Sequence, residues 1–138
     1  MGAYLFNRTW ELLVKKRRTR AEEEELLLAA HGSRYHWSRV GRPLNFSIGE
    51  WQLSRVYSTL GRAEPALFHG RRSLEMALRH GLGAFYVAYG YEALARASTV
   101  AGKARASRRY AALARRAEKR IRSSRERKML DDDLATIR

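Results

Sequence analysis

The sequence predicts an all-α fold of antiparallel helical hairpins, and three observations carry that prediction. Gly41, Gly61, Gly81 and Gly102 stand about twenty residues apart, each closing a stretch with helical apolar spacing. Glycine just past a helix end accepts the left-handed backbone that other residues resist. Helix starts match these stops: Thr19 with Glu22, Ser47 with Glu50 and Ser123 with Glu126 fit the S/T-x-x-E pattern, in which hydroxyl and carboxylate satisfy two orphan backbone donors. Between these marks no segment alternates apolar and polar residues as a half-buried strand does.

Taken in order, the marks predict seven helices over about 3–17, 20–40, 47–60, 64–80, 84–101, 103–122 and 124–137. The first closes on Lys15 to Arg18 and the second opens on Glu22 to Glu25, charges that complement the helix dipole at each end. Leu26, Ala29 or Ala30, Ser33, Trp37 and Val40 form one strip of the second helix. Leu53, Val56, Tyr57 and Leu60 form one on the third, and Pro65 suits the first turn of the fourth. In the sixth, Ala104, Ser107, Ala111, Ala114, Ala117 and Ile121 make a small-residue seam clothed in arginine. The last helix sets Met129, Leu130, Leu134 and Ile137 against an exposed Asp131 to Asp133 and reads as a lid on the stack.

At 138 residues the chain is the size of one domain, taken as 1–138, with enough length for a single core. It has no cysteine, so neither a disulfide framework nor a thiolate metal site is available. The longest apolar stretch, Leu26 to Ala30, is too short to cross a bilayer, and Met1 to Leu13 lacks a secretory signal. A soluble, cytoplasmic protein is expected. The net charge of +14 is uneven: residues 103–128 carry twelve Lys/Arg against Glu118 and Glu126. Arginine outnumbers lysine 23 to 5 in an Ala-rich chain, the composition of solvated helix faces in a GC-rich genome.

The chain also repeats. A shift of 41 residues lays Trp51 to Ala63 on Glu92 to Ala104, matching Leu53 with Leu94, Ser54 with Ala95, Arg55 with Arg96, Gly61 with Gly102 and Arg62 with Lys103. One further shift brings Trp51 onto Trp10, with Leu12 and Leu13 nearby. Leu53, Ser54, Tyr57, Gly61, Ala66 and Leu74, and then Leu94, Ala95, Gly102, Ala111 and Ala114, follow the order of a two-helix repeat. On those residues the segment from about 47 to 122 resembles the tetratricopeptide-repeat (TPR) family. The step is 41 residues against about 34 in that family, Ser98 stands where the family has an aromatic, and Ser107 where it has an alanine. The resemblance implies stacked pairs over about 3–40, 47–80 and 84–122 with a capping helix over 124–137. An irregular helical bundle is the alternative architecture.

Catalytic and metal chemistry find little support. His31 and His36 are five residues apart and cannot share a helix face, while His69 and His80 stand alone. The only aspartates are the three at the end, and there is no G-x-S-x-G elbow or phosphate-cradling glycine loop. Glu50 is accounted for by its capping pattern with Ser47. In Arg34-Tyr-His-Trp-Ser-Arg39 the aromatics scatter around a helix, so Trp37 is expected in the core and Arg34 in solvent. No catalytic residue, cofactor or metal ligand is assigned.

The function expected is that of an interaction module for a polypeptide, an acidic one or a second copy of the chain, and the TPR resemblance puts the site on the first helix of each pair. That implies a concave row of Ile48, Trp51, Arg55 and Ser58 beside Tyr89, Glu92, Arg96 and Thr99, each set at helical spacing. Arg55 and Arg96 are the residues that would grip a carboxylate; the other reading is that they pair with Glu92 and brace the stack. Sequence-tolerant nucleic-acid binding through Arg108, Arg109, Arg115 and Arg116 on the helix over 103–122 is the second function, and an enzyme of unassigned type the third.

Overall fold

A computed structural model describes residues 1–137; Arg138, the last residue of the expected domain, lies outside the described residues. The chain forms α1 (Gly2–Leu13), α2 (Arg20–Val40), α3 (Pro43–Thr59), α4 (Ala63–Arg79), α5 (Ala84–Val100), α6 (Ala104–Glu118) and α7 (Ser124–Ala135). Among the described residues there is no strand. Short turns and close packing join α1 to α2, α3 to α4 and α5 to α6 as helical hairpins.

Three ends differ from expectation. Helix α1 stops at Leu13 because Arg18 folds back and donates from Nη1 to the carbonyls of Leu12, Leu13 and Lys15 at 3.3, 3.4 and 2.9 Å. The basic run thus caps the helix from outside instead of extending it. Helix α6 ends at Glu118, and Arg127 Nη1 donates to the carbonyls of Ile121 and Arg122 beyond it at 2.5 and 2.9 Å.

The third difference reverses an assignment. Helix α3 starts at Pro43, where a missing N–H costs nothing, and Asn45 Oδ1 accepts from Arg42 N at 3.0 Å. Ser47 and Glu50 therefore lie inside the helix and form no capping box; both are 2 % exposed. Gly41 is extended (φ −89°) and not left-handed. Val40, expected in the apolar strip, is 69 % exposed, because the chain leaves α2 there. The Thr19 and Glu22 box forms as expected, with bonds of 3.1 and 2.9 Å.

The 41-residue step appears in the geometry. Gly61 and Gly102 share a φ of +74°. Around them Gly61 N donates to Ser58 O and Arg62 N to Tyr57 O (3.1 and 2.8 Å), while Gly102 N donates to Thr99 O and Lys103 N to Ser98 O (3.0 and 2.9 Å). One glycine turn is thus built twice. The helix crossings above the turns correspond as well. Ser54 Oγ donates to Ala66 O at 2.8 Å, and at the equivalent crossing Ser107 Oγ donates to Ala95 O at 2.9 Å. The hydroxyl has changed helices while the close approach is kept. Leu12, Leu53 and Leu94, each one step apart, are all buried at 2 % exposure or less.

The backbone of α3 runs close to those of both α1 and α5, whereas the backbones of α2, α4 and α6 stay apart from one another. The first helices therefore converge on one side of the array. Leu12, Leu26, Ala30, Leu53 and Val56 form the core of the N-terminal half. Ala88, Tyr89, Ala114, Ile121, Leu130 and Leu134 form that of the C-terminal half, so α7 contributes to the interior.

Candidate binding groove

The convergent side carries a row of aromatic side chains handed from helix to helix. Trp10 on α1 meets Trp51 on α3 at a ring separation of 5.5 Å, and Trp51 meets Tyr89 on α5 edge to face at 5.6 Å. Phe85, one turn before Tyr89, packs on it at 5.0 Å. Trp10, Trp51 and Glu92 stand one 41-residue step apart, and the last two touch: Trp51 Nε1 donates to Glu92 Oε1 at 3.3 Å.

Beneath this row lies a closed set of charges. Glu92 is fully buried; Arg96 donates to its Oε2 from Nε at 3.0 Å and from Nη2 at 2.7 Å. Arg55 Nη1 stands 3.8 Å from the same oxygen and 3.9 Å from Asp133 Oδ1 on α7. Tyr89 donates its hydroxyl to Asp133 Oδ2 at 2.6 Å, and Arg96 Nη2 reaches Asp133 O and Thr136 Oγ1 at 3.0 and 2.7 Å. Two arginines thus face two carboxylates. Burial and then the Asp133 bond raise the Tyr89 phenol far above its ordinary value. Burial and then the charge of Arg96 weaken the hold of Arg55 on its proton. Asp133, expected in solvent, is tied into the interior.

Above the charges opens a cleft of about 430 Å³, lined by Trp10, Ile48, Trp51, Phe85, Tyr86 and Tyr89, with Met129 and Asp133 of α7 on its far side. Of the expected row, Ile48, Trp51 and Tyr89 line this cleft. Arg55, Glu92 and Arg96 form the network below. Ser58 is buried, and Thr99 pairs with Ser107 at 2.7 Å away from the others. Trp10, Phe85, Tyr86 and Met129 were not assigned from sequence, although the step from Trp51 back to Trp10 was visible there.

A second buried carboxylate joins α2, α3 and α4. Glu50 Oε1 accepts from Arg72 Nε at 2.5 Å and stands 3.5 Å from Arg34 Nε, while its Oε2 lies 2.6 Å from His69 Nδ1. Burial pushes this carboxyl up, yet the bonds from His69 and Arg72 outweigh it and hold Glu50 below its ordinary range. His31 joins the cluster through Tyr57 Oη at 2.7 Å, its ring 5.9 Å from that of His69. His69 therefore does not stand alone. Arg34, expected in solvent, is 17 % exposed and lies 4.8 Å over the Phe46 ring. This cluster binds three helices together.

Arg108, Arg109, Arg115 and Arg116 are exposed on α6, and Arg115 pairs with Asp131 of α7 at 3.4 Å. Among the described residues no three His, Cys, Asp or Glu side chains gather as a metal site, and no helix is long and apolar enough to cross a membrane. No family model, curated protein or solved structure matches the chain.

Proposed function

We propose that this protein is a polypeptide-binding module, a TPR-like array whose site is the aromatic cleft on the converging first helices. The observation that carries this reading is the cleft itself: five aromatic rings and Ile48 from three helices line it, and two of those residues, Trp51 and Tyr89, bond to the carboxylates that face Arg55 and Arg96. A pocket of that size takes one or two large apolar side chains, and aromatic walls supply most of the binding energy of such anchors. The partner is an acidic segment. With a net charge of +14, the chain attracts acidic chains and repels basic ones. Arg55 and Arg96 provide planar donors for a carboxylate beside the anchor.

The test is titration of the full chain with a glutamate-rich amphipathic peptide bearing leucines four residues apart, followed by calorimetry. Micromolar binding that falls at least tenfold in Ile48→Glu, with an unchanged helical signal, is expected. That substitution places a like charge in the cleft without removing a member of the network. Binding that is indifferent to it removes the cleft as the site.

The exposed arginines of α6 favour a second reading, sequence-tolerant nucleic-acid binding. It requires affinity that falls steeply with salt and a slope that flattens when Arg108, Arg109, Arg115 and Arg116 become Gln. Tight RNA or DNA binding at about 150 mM salt would put this reading first; loss of retention well below that concentration leaves the groove reading ahead.

A further inference from the structure

We propose that α7 is a resident stand-in for the ligand: it occupies the acidic position of the groove, and an acidic partner binds by displacing it. The inference rests on the groove reading and adds its regulation. With α7 docked, Arg55 and Arg96 are matched by Glu92 and Asp133, so no cationic excess remains for an incoming carboxylate. An acidic side chain entering the cleft meets Asp133 first. Binding of a partner's carboxylate and docking of Asp133 therefore exclude each other.

The fit of α7 is incomplete at the residue that matters most. Arg55 Nη1 is buried without a hydrogen-bond partner, and its two ion pairs, at 3.8 and 3.9 Å, are beyond hydrogen-bond length. Asp133 neutralises this guanidinium without bonding to it, since its Oδ2 is held by Tyr89. A carboxylate not already held by the Tyr89 hydroxyl can approach closely enough to take the bond, which makes the external ligand the better partner. Beyond the bonds of Arg96 to Asp133 O and Thr136 Oγ1, the rest of the attachment is modest. Only Leu130 and Leu134 of α7 are buried, and Arg115 with Asp131 is a surface pair more than half exposed on both sides. The segment from Lys119 to Ser123 tethers the helix, so a displaced α7 stays close and competes intramolecularly.

The chemistry of the partner can be read from its stand-in. Met129 and Asp133, four residues apart on α7, line the cleft and give it one large apolar side chain and one carboxylate a helical turn apart, while Leu130 and Leu134 pack into the core. A partner of this class is an amphipathic acidic helix.

The experiment uses full-length chains and two probes, a synthetic peptide of residues 123–137 and the glutamate-rich peptide above. Affinity is measured with wild type, Asp133→Asn and Leu134→Asp, and hydrogen exchange of the α7 amides is followed. Asp133→Asn removes a charge-assisted bond from the resident helix, so both peptides should bind roughly tenfold tighter than to wild type. Adding either peptide to wild type should speed exchange across Arg127 to Ala135. Equal affinity for wild type and both variants, or α7 amides that stay protected with peptide bound, overturns the displacement while leaving the groove intact. Failure of the glutamate-rich peptide to bind any of the three folded chains refutes the groove reading itself.

Discussion

Replacing Glu92 by Gln removes the charge that Arg55 and Arg96 share, and the consequence can be sized from the geometry. Glu92 is fully buried, accepts two bonds from Arg96 and one from Trp51, and sits 3.8 Å from Arg55. Removing one partner of a buried pair costs about 3–5 kcal/mol because the other charge is left uncompensated. Asp133 remains in place, so the lower end, about 3 kcal/mol, applies. For a chain of this size that is a fall in Tm on the order of 10 °C. Thermal unfolding followed by far-ultraviolet circular dichroism measures it. Trp51 emission should shift as well, since its indole donates to the lost carboxylate. The same variant leaves two cations facing Asp133 alone, so the acidic peptide should bind more tightly to the chain that is less stable. A Tm within about 3 °C of wild type would refute the claim that this network braces α3 against α5.

Two further predictions follow from the repeat and from the histidine cluster. Gly61→Ala and Gly102→Ala should each cost about 1–2 kcal/mol in denaturant unfolding, and by nearly equal amounts, because both glycines share a φ of +74°; a difference above about 1 kcal/mol would show that the two turns are not equivalent. Burial and then the neighbouring His69 hold the His31 imidazole below its ordinary value. The folded chain therefore prefers this ring neutral, so its contribution is present above about pH 6.5 and is lost as pH falls through that value. His31→Gln should flatten the decline below about pH 6.5, and an unchanged pH profile would exclude His31 as its source.

The element order was legible because it rests on local signals: glycines with a positive φ, the Thr19 box, and apolar spacing that needs no tertiary information. The start of α3 was not, because Ser47 and Glu50 have the spacing of a cap while their side chains belong to tertiary contacts. Ser47 Oγ donates to Ser73 O at 3.0 Å, and Glu50 gathers Arg34, His69 and Arg72. A local motif cannot reveal partners 16 to 26 residues away. The groove was half legible for the same reason. The resemblance to a two-helix repeat implied a row on the first helices that included Ile48, Trp51, Arg55, Tyr89, Glu92 and Arg96, and helical spacing made that row coherent. The aromatic wall from Phe85 and Tyr86, and the engagement of Asp133, depend on where α7 lands, which no periodicity encodes.

The proposed seating of an acidic polypeptide in the cleft between α1, α3 and α5 is reported directly by the three tryptophans. Trp10 and Trp51 line the cleft, whereas Trp37 does not and packs against Phe6 at 5.5 Å. A nitrogen-15 spectrum of the full chain offers one indole resonance for each. Titration with the glutamate-rich peptide should move the Trp51 and Trp10 resonances along a common saturation curve and leave Trp37 in place. Saturable binding that leaves Trp10 and Trp51 unmoved, or that shifts Trp37 as much as the other two, would contradict the account.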